Sequence, residues 1–411
     1  MEGKIITGLD IGTTKICAVV VKEDYDGTLN VVGIGSAPSY GLRKGVVVNI
    51  DKTVSAVKQA VEEAQTMAGV EVESVFVGIA GDHIRSINSK GMVGVTRDDH
   101  EITEEDVERA INAAKALALP IDREIIHAIP QEFIVDDQDG IHDPVGMCGV
   151  RLEVEVHIVT AAVTSAQNIV RSVQRAGYDV EEIILEPLAS SLAVLNDDER
   201  SLGVALVDIG GGTSDIAMFF DGHIQHTSVV ALGGQHLTSD IAIGLRTPQD
   251  MAEEIKLKYG TTSRESVNSS ESIMVPGVGG RAPRTISRSV LVDIVAPRME
   301  EILALTYQKM QKSELLELMA AGAVITGGAA LLDGTAELAE KIWELPVRIG
   351  VPKHLGGLTA SVKNPKYSTA VGLCLYGAEY HNSERVLAAH TEGALWDDVM
   401  GSFSTFFKRF F

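Results

Sequence analysis

Residues 207–217 read VDIGGGTSDIA, and residues 9–18 read LDIGTTKICA. In each, an apolar strand delivers an aspartate to a glycine turn carrying hydroxyl side chains, and a second apolar strand leads away. Glycine lets the backbone approach a ligand with no Cβ in the way, and successive amides of such a turn point inward as a small anion site. The two phrases predict phosphate-binding hairpins facing each other across a cleft, one built on Gly12, Thr13, Thr14 and Lys15, the other on Gly210, Gly211, Gly212 and Thr213. Asp10 and Asp208 stand at the strand ends. Carboxylates there suit a hydrated Mg2+, which keeps several waters and is held by one or two carboxylates plus phosphate oxygens. A single phrase of this kind also fits a plain tight hairpin; the matched pair favours phosphate.

The 411 residues allow two or more domains, and 45% hydrophobic composition supplies a large core. A formal charge of −22 argues against nucleic-acid binding, which needs a basic face. Cys17, Cys148 and Cys374 have neither metal-ligand nor disulfide-framework spacing. The N-terminal residues run straight into strand material, so no signal peptide is expected, and no apolar run reaches transmembrane length.

Outward from the first phrase, residues 4–36 alternate strand and turn, 52–68 carry a helical stripe of Val54, Val57, Val61 and Ala64, and 72–81 form a buried strand. Residues 84–159 read as an insertion. Its one clear helix is capped by Thr103 with Asp106 three residues on, and Pro120 lies beyond its end. A helix over 165–176 resumes the α/β pattern. Around the second phrase, a mainly helical block over 235–320 is interrupted at 260–289 by a stretch rich in Ser, Gly, Arg and Pro, expected to be loop. Residues 321–334 read as strand, glycine turn and helix start; 346–351 as strand; 365–380 as a closing helix; and 381–393 as a polar linker.

Three further pieces in order make the whole resemble the actin/Hsp70/sugar-kinase superfamily. Residues 186–191 (EPLASS) resemble the connecting helix; 252–260 (AEEIKLKYG) carry Glu253 and Lys256, like a pair that contacts adenosine in bacterial actins; and 325–332 (ITGGAALL) resemble the adenosine loop, with Gly327, Gly328, Ala329 and Ala330. The resemblance implies an actin-like α/β fold, two domains around a cleft holding ATP and Mg2+. It places Glu186 opposite the γ-phosphate to position water, with hydrolysis slow or absent; as plain sequence, Glu186 before Pro187 is equally a helix start. Asp215 reads as orienting the second hairpin or facing solvent.

Actin's insertion usually lies between the third strand and the first helix, but here residues 39–51 are too few to hold one. The insertion instead follows the fourth strand, and in this the chain resembles the FtsA family of bacterial cell-division proteins. That resemblance implies subdomain 1A over 1–83, 160–198 and 365–380; a relocated subdomain 1C over 84–159; 2A over 199–240 and 321–364; and 2B over 241–320. It further implies self-assembly through the 1C and 2B faces, other division partners on 1C, and a tether for the tubulin-like FtsZ at the cytoplasmic face of the membrane at midcell. Arg284, Arg288 and Arg298, clustered in an acidic chain, are expected to dock the FtsZ tail on 2B; ordinary surface charge is the plainer reading.

The final segment, 394–411, supports the tether. It holds five of the nine phenylalanines. Trp396, Val399, Met400, Phe403, Phe406, Phe407 and Phe410 recur at i, i+3, i+4, i+7 spacing, with Lys408 and Arg409 placed to meet anionic headgroups. A terminal helix docked on protein is the alternative. His127, His142 and His157 lack metal-ligand spacing and read as surface or core residues. A small-molecule kinase and a PilM-like pilus adaptor share the nucleotide motifs, but neither needs this tail.

Overall fold

The structure, a computed structural model, describes residues 4–390 apart from 269 and 354. The chain opens with β1 (Lys4–Ile11), β2 (Lys15–Glu23), β3 (Leu29–Pro38), a short ladder of β4 (Leu42–Arg43) and β5 (Val46–Val47), α1 (Ile50–Ala68) and β6 (Ser74–Ile79). The inserted subdomain follows, with β7 (Arg85–Gly94), α2 (Glu104–Lys115), β8 (Arg123–Val135), β9 (Gln138–Ile141) and β10 (Arg151–Ala162). Then come α3 (Val163–Ala176), β11 (Asp179–Leu185), α4 (Glu186–Val194) and α5 (Asp197–Leu202). The second half runs through β12 (Val204–Ile209), β13 (Ser214–Phe220), β14 (His223–Val230), α6 (Gly234–Leu245), α7 (Gln249–Tyr259), β15 (Ser272–Val275), β16 (Arg284–Ser287) and α8 (Arg288–Lys312). It finishes with β17 (Ala323–Thr326), α9 (Thr335–Trp343), β18 (Val347–Ile349), β19 (Gly356–Gly357), α10 (Thr359–Val362) and α11 (Ser368–His390).

Three sheets carry the architecture, ordered β11-β6-β1-β2-β3-β19, β7-β10-β8-β9 and β14-β13-β12-β17-β18. In the two larger sheets an antiparallel hairpin (β1–β2 or β12–β13) lies beside a parallel neighbour (β6 or β17). The central strands are almost wholly apolar: residues 16–21 of β2 and 204–209 of β12 are buried throughout, with Asp208 the one polar side chain among them. A strand covered on both faces reads this way, where a half-exposed strand alternates. Helix α1 buries Val57, Ala60, Val61 and Ala64, ends at Gly69 in the left-handed region (φ 66°), and packs on β3. Helix α11 crosses α4 and β1. No described helix is long and apolar enough to cross a membrane.

Two expectations need correcting. The 260–289 stretch is not all loop: β15 and β16 pair as an antiparallel hairpin within it, and Ile273 and Val275 are buried in the core of the second half. The alternation in SIMV was masked by the surrounding Ser and Gly. The closing helix is also longer than expected. It starts at Ser368 and runs to His390, so residues 381–390 are helix where a linker was expected; ERVLAA are strong helix formers apart from the one Val, with no Gly or Pro among them.

The inserted subdomain has its own core, with Val107, Ala110 and Ala114 of α2 packed with Phe133, Leu152 and Val154 of its sheet. The expected cap is present. The Thr103 hydroxyl accepts from Asp106 N–H, and Asp106 accepts in return from Thr103 N–H at 2.9 Å. Thr103→Ala leaves orphan amides at that helix start, and its expected effect is a loss of about 1 kcal/mol, read as a lower denaturant midpoint; an unchanged midpoint refutes the role of the cap.

Candidate functional site: two facing hairpins

Both glycine phrases fold into the same object. In the first, Asp10 lies opposite Cys17 and Ile11 opposite Ile16, and Gly12 N–H donates to Lys15 O at 3.0 Å. In the second, Asp208 lies opposite Asp215 and Ile209 opposite Ser214, and Gly210 N–H donates to Thr213 O at 3.0 Å. The turns meet: a Cβ at Gly211 would overlap the Thr14 side chain, and one at Gly212 would overlap Thr13. Glycine is therefore required for the halves to approach this closely. Thr13 Oγ1 accepts from Gly45 N–H at 3.1 Å. The N-terminus of α6 supports the second turn, with Gly234 and Gln235 N–H donating to the carbonyls of Gly210 and Gly211. The Lys15 ammonium bonds to the Lys366 carbonyl at 2.8 Å and lies 4.6 Å over the Tyr367 ring, which ties the first hairpin to the turn before α11.

Four carboxyl groups converge beneath the turns. Asp208 is buried and accepts from Ser190 Oγ of α4 at 2.7 Å and from Thr369 Oγ1, on the first turn of α11, at 3.4 Å. Asp215 is buried, with Thr213 Oγ1 donating to it at 2.8 Å. That position overturns the solvent-facing alternative. Burial pushes Asp215 up to about 7, and the neighbouring Asp208 adds to this while the Thr213 hydrogen bond opposes it. Burial also pushes Asp10 up to about 6, against the pull of Lys15. Glu186 is held well above the usual carboxylate range by burial and then by Asp10, Asp215 and Asp208. It opens α4, with Pro187 in the first turn and no side-chain capping hydrogen bond, and its carboxyl stands beside those of the three aspartates. Asp215 was the residue undervalued by sequence reading; its signal was the cross-strand register with Asp208.

The adenosine motifs gather around the second hairpin. Lys256 bonds Glu253 at 2.7 Å, Thr238 Oγ1 at 2.9 Å and Gly234 O at 3.1 Å. Gly327 has φ +88°, and any side chain there would strike Asp208 and the Ile209 carbonyl. It leads into the 3-10 turn of Gly328, Ala329, Ala330 and Leu331, and a Cβ at Gly234 would touch Ala329. The expected phosphate, adenosine and metal residues are thus brought to one place.

The arginines are not gathered in this way. Arg284 donates to the Leu245 carbonyl, Arg288 to Glu271 and Tyr259 O, and Arg298 to Asp240 and Glu301. The histidines fall as expected among core and surface: His127 and His157 are buried, and His142 stacks on His223. Among the described residues no three His, Cys, Asp or Glu side chains form a direct metal-ligand group. Trp396, Val399, Met400, Phe403, Phe406, Phe407, Lys408, Arg409 and Phe410 lie outside the described residues.

The acidic cluster has a pH signature. At about 7, Asp215 binds its proton more tightly in the fold than in the unfolded chain, where an aspartate titrates near about 3.9. Its contribution is fully present below the unfolded value and is lost as pH rises through 7. Ligand-free Asp215→Asn is therefore expected to melt above the parent at pH 8, with the gap closing towards pH 4. A gap independent of pH in thermal melts refutes this.

Comparison with known proteins accords with this geometry. The family model described as "Cell division protein FtsA" matches residues 205–372, and the one described as "SHS2 domain inserted in FTSA" matches residues 81–160. The FtsA of Pseudomonas aeruginosa is 50% identical over 378 residues, covering 92% of this chain and 90% of that protein. The FtsA of Neisseria meningitidis is 47% identical (90% of each chain), and that of Escherichia coli K12 is 42% identical (92% of each). Among solved structures, the PilM–PilN type IV pilus biogenesis complex aligns with a TM-score of 0.66 at 17% identity, covering 91% of this chain and 98% of that one. MreB5 of Spiroplasma citri bound to ADP aligns at 0.54 and 16% identity, covering 95% and 99%. The structural neighbours show the actin-like ATPase fold, the inserted-domain match places the relocated subdomain in the first half, and the sequence relatives show more: the chain belongs to the FtsA family of cell-division proteins.

Proposed function

We propose that this chain binds ATP with Mg2+ between its two hairpins, assembles with copies of itself, and tethers FtsZ to the cytoplasmic face of the membrane at midcell. The observation that carries the nucleotide reading is the meeting of Gly211 and Gly212 with Thr14 and Thr13 above four clustered carboxyls, of which Asp208 and Asp215 are buried. Gly12, Thr13, Thr14, Lys15, Gly210, Gly211, Gly212 and Thr213 would hold the phosphates. Glu253, Lys256, Gly327, Gly328, Ala329 and Ala330 would hold the adenosine. Raised carboxyls packed together fit a site that takes a divalent cation, and Asp10 and Asp208 would hold Mg2+ through water. The cation would supply neutralisation of charge. Glu186 would orient a water, with turnover slow or absent. An MreB5 of the same fold has been solved with ADP and with AMPPNP, which supports a nucleotide here. Gly211→Val closes the space between the turns and is expected to abolish binding of a fluorescent ATP analogue; retained affinity overturns the assignment of the hairpins.

The tether rests on the spacing of the terminal aromatics. With two basic residues, one tail binds weakly, and assembly through the 1C and 2B faces would raise the effective concentration of tails. Subdomain 1C would also meet other division proteins. The FtsZ tail would dock on 2B near Arg284, Arg288 and Arg298. One sedimentation experiment with anionic liposomes and FtsZ separates these parts. The full chain is expected to pellet and bring FtsZ down; the chain cut after residue 393 is expected to leave both in the supernatant; and Arg298→Glu is expected to pellet without FtsZ. Equal pelleting by the cut chain removes the membrane anchor, and undiminished FtsZ recruitment by Arg298→Glu removes the docking assignment.

A further inference from the structure

Strand β14 is the edge of the five-stranded sheet, and an edge strand presents a row of unpaired backbone groups. Here the inserted subdomain covers that edge with side chains from its own sheet. Ser86 Oγ donates to the Thr227 carbonyl at 2.9 Å. Gln131 Nε2 donates to the Ile224 carbonyl at 2.8 Å and to Gln225 Oε1 at 3.0 Å. His157 bridges Thr227 Oγ1 at 3.1 Å and Asn88 Oδ1 at 2.6 Å. Gln131 and His157 are only 5% and 1% exposed, so breaking these bonds without water entering leaves costly unpaired groups. Ile129 of the inserted sheet and Ile224 of β14 belong to one buried cluster, which gives the seam an apolar floor. The seam is not sealed along its length. A cavity of about 290 Å³ beside it is lined by Ser86, Asn88, His157, Gln225, His226 and Ser313 among others.

Each side of this seam leads to one hairpin. On the second-half side, Val230 at the end of β14 pairs with Ser214, and the chain continues directly into Gly234 and Gln235, which hold the carbonyls of Gly210 and Gly211. On the other side, Arg123 donates to the His83 carbonyl at 2.9 Å and to the Thr160 carbonyl at 2.9 Å, fastening β8 and β10 to the turn before β7. That turn lies against Gly45, whose N–H donates to Thr13. We propose that the inserted subdomain is a strap between the two halves, closing a mechanical loop that fixes the separation of the hairpins. The halves are then joined through α4, through the return of the chain into α11, whose Thr369 and Ser368 hold Asp208 and Thr326, and through the seam, and the side of the cleft that the strap spans widens when the bonds to β14 exchange for water. The functional meaning of the strap rests on the nucleotide reading; its mechanics do not.

The test is hydrogen exchange of the full-length chain without nucleotide. Ser86→Ala/Gln131→Ala is expected to speed exchange of the Gly12 and Gly210 amides by about tenfold, the scale of one to two net hydrogen bonds. Ser86→Ala alone, at a partly exposed position, is the milder variant and moves rates the same way. Lys90→Ala, on the same strand as Ser86, removes a surface ion pair to Glu155 of the neighbouring β10 and leaves them unchanged. Faster exchange confined to β14 and the inserted sheet, with both hairpin amides at parent rates, overturns the strap. The same parent chain measured with ATP decides the other matter separately: hairpin amides that do not slow on ATP addition overturn the nucleotide reading and leave the mechanical result standing.

Discussion

Gathering four carboxyl groups beneath the turns is the constraint on which this structure depends. Asp10 and Asp208 lie at the ends of the first strands of two matched hairpins, Asp215 lies across from Asp208, and Glu186 begins the helix between the halves. Desolvation raises all four, and repulsion from neighbouring carboxylates adds to the rise at Asp10, Asp215 and Glu186, so the ionised cluster opposes its own folding unless a cation is present. Hydrogen bonds offset part of this. Ser190 and Thr369 donate to Asp208 and Thr213 to Asp215, and in doing so they fasten α4, α11 and the second turn to one carboxylate-lined floor.

The hairpins were legible because their information is local. An aspartate, a glycine turn and two apolar strands specify the fold of ten residues, and the same words twice specify a pair. The cap at Thr103 was legible for the same reason. Asp215 was not, because one aspartate in a β-strand has two faces to choose from, and only its neighbours across the sheet decide which is buried. The arginines differ again. Nearness in sequence does not reveal their pairing, with Arg298 bonded to Asp240 and Arg288 to Glu271. The seam at β14 was beyond reach altogether: Ser86 and Thr227 are 141 residues apart, and no periodicity records such a contact.

The two hairpins also show how far the internal likeness extends. Their turns carry the same bond from the first glycine amide to the fourth carbonyl, and their strand registers match. They differ at the position across from the first aspartate, which is Cys17 in one half and Asp215 in the other, and in the cation, which only the first half has. The first turn is therefore charged oppositely to the floor of the second, an asymmetry that attracts the two halves to each other.

Helix α11 begins where the hairpins are held. Thr369 touches Asp208 and Ser190, Ser368 touches Thr326, and Lys15 grips the carbonyl two residues before the helix. From there 23 residues run to His390, a rod of about 34 Å at 1.5 Å per residue. Gly372 comes so close to the Ala189 backbone, and Gly377 to the Phe76 ring, that a Cβ at either would overlap them. The first half of the rod is thus locked to α4 and β6, and its direction is set by the same elements that position the hairpins.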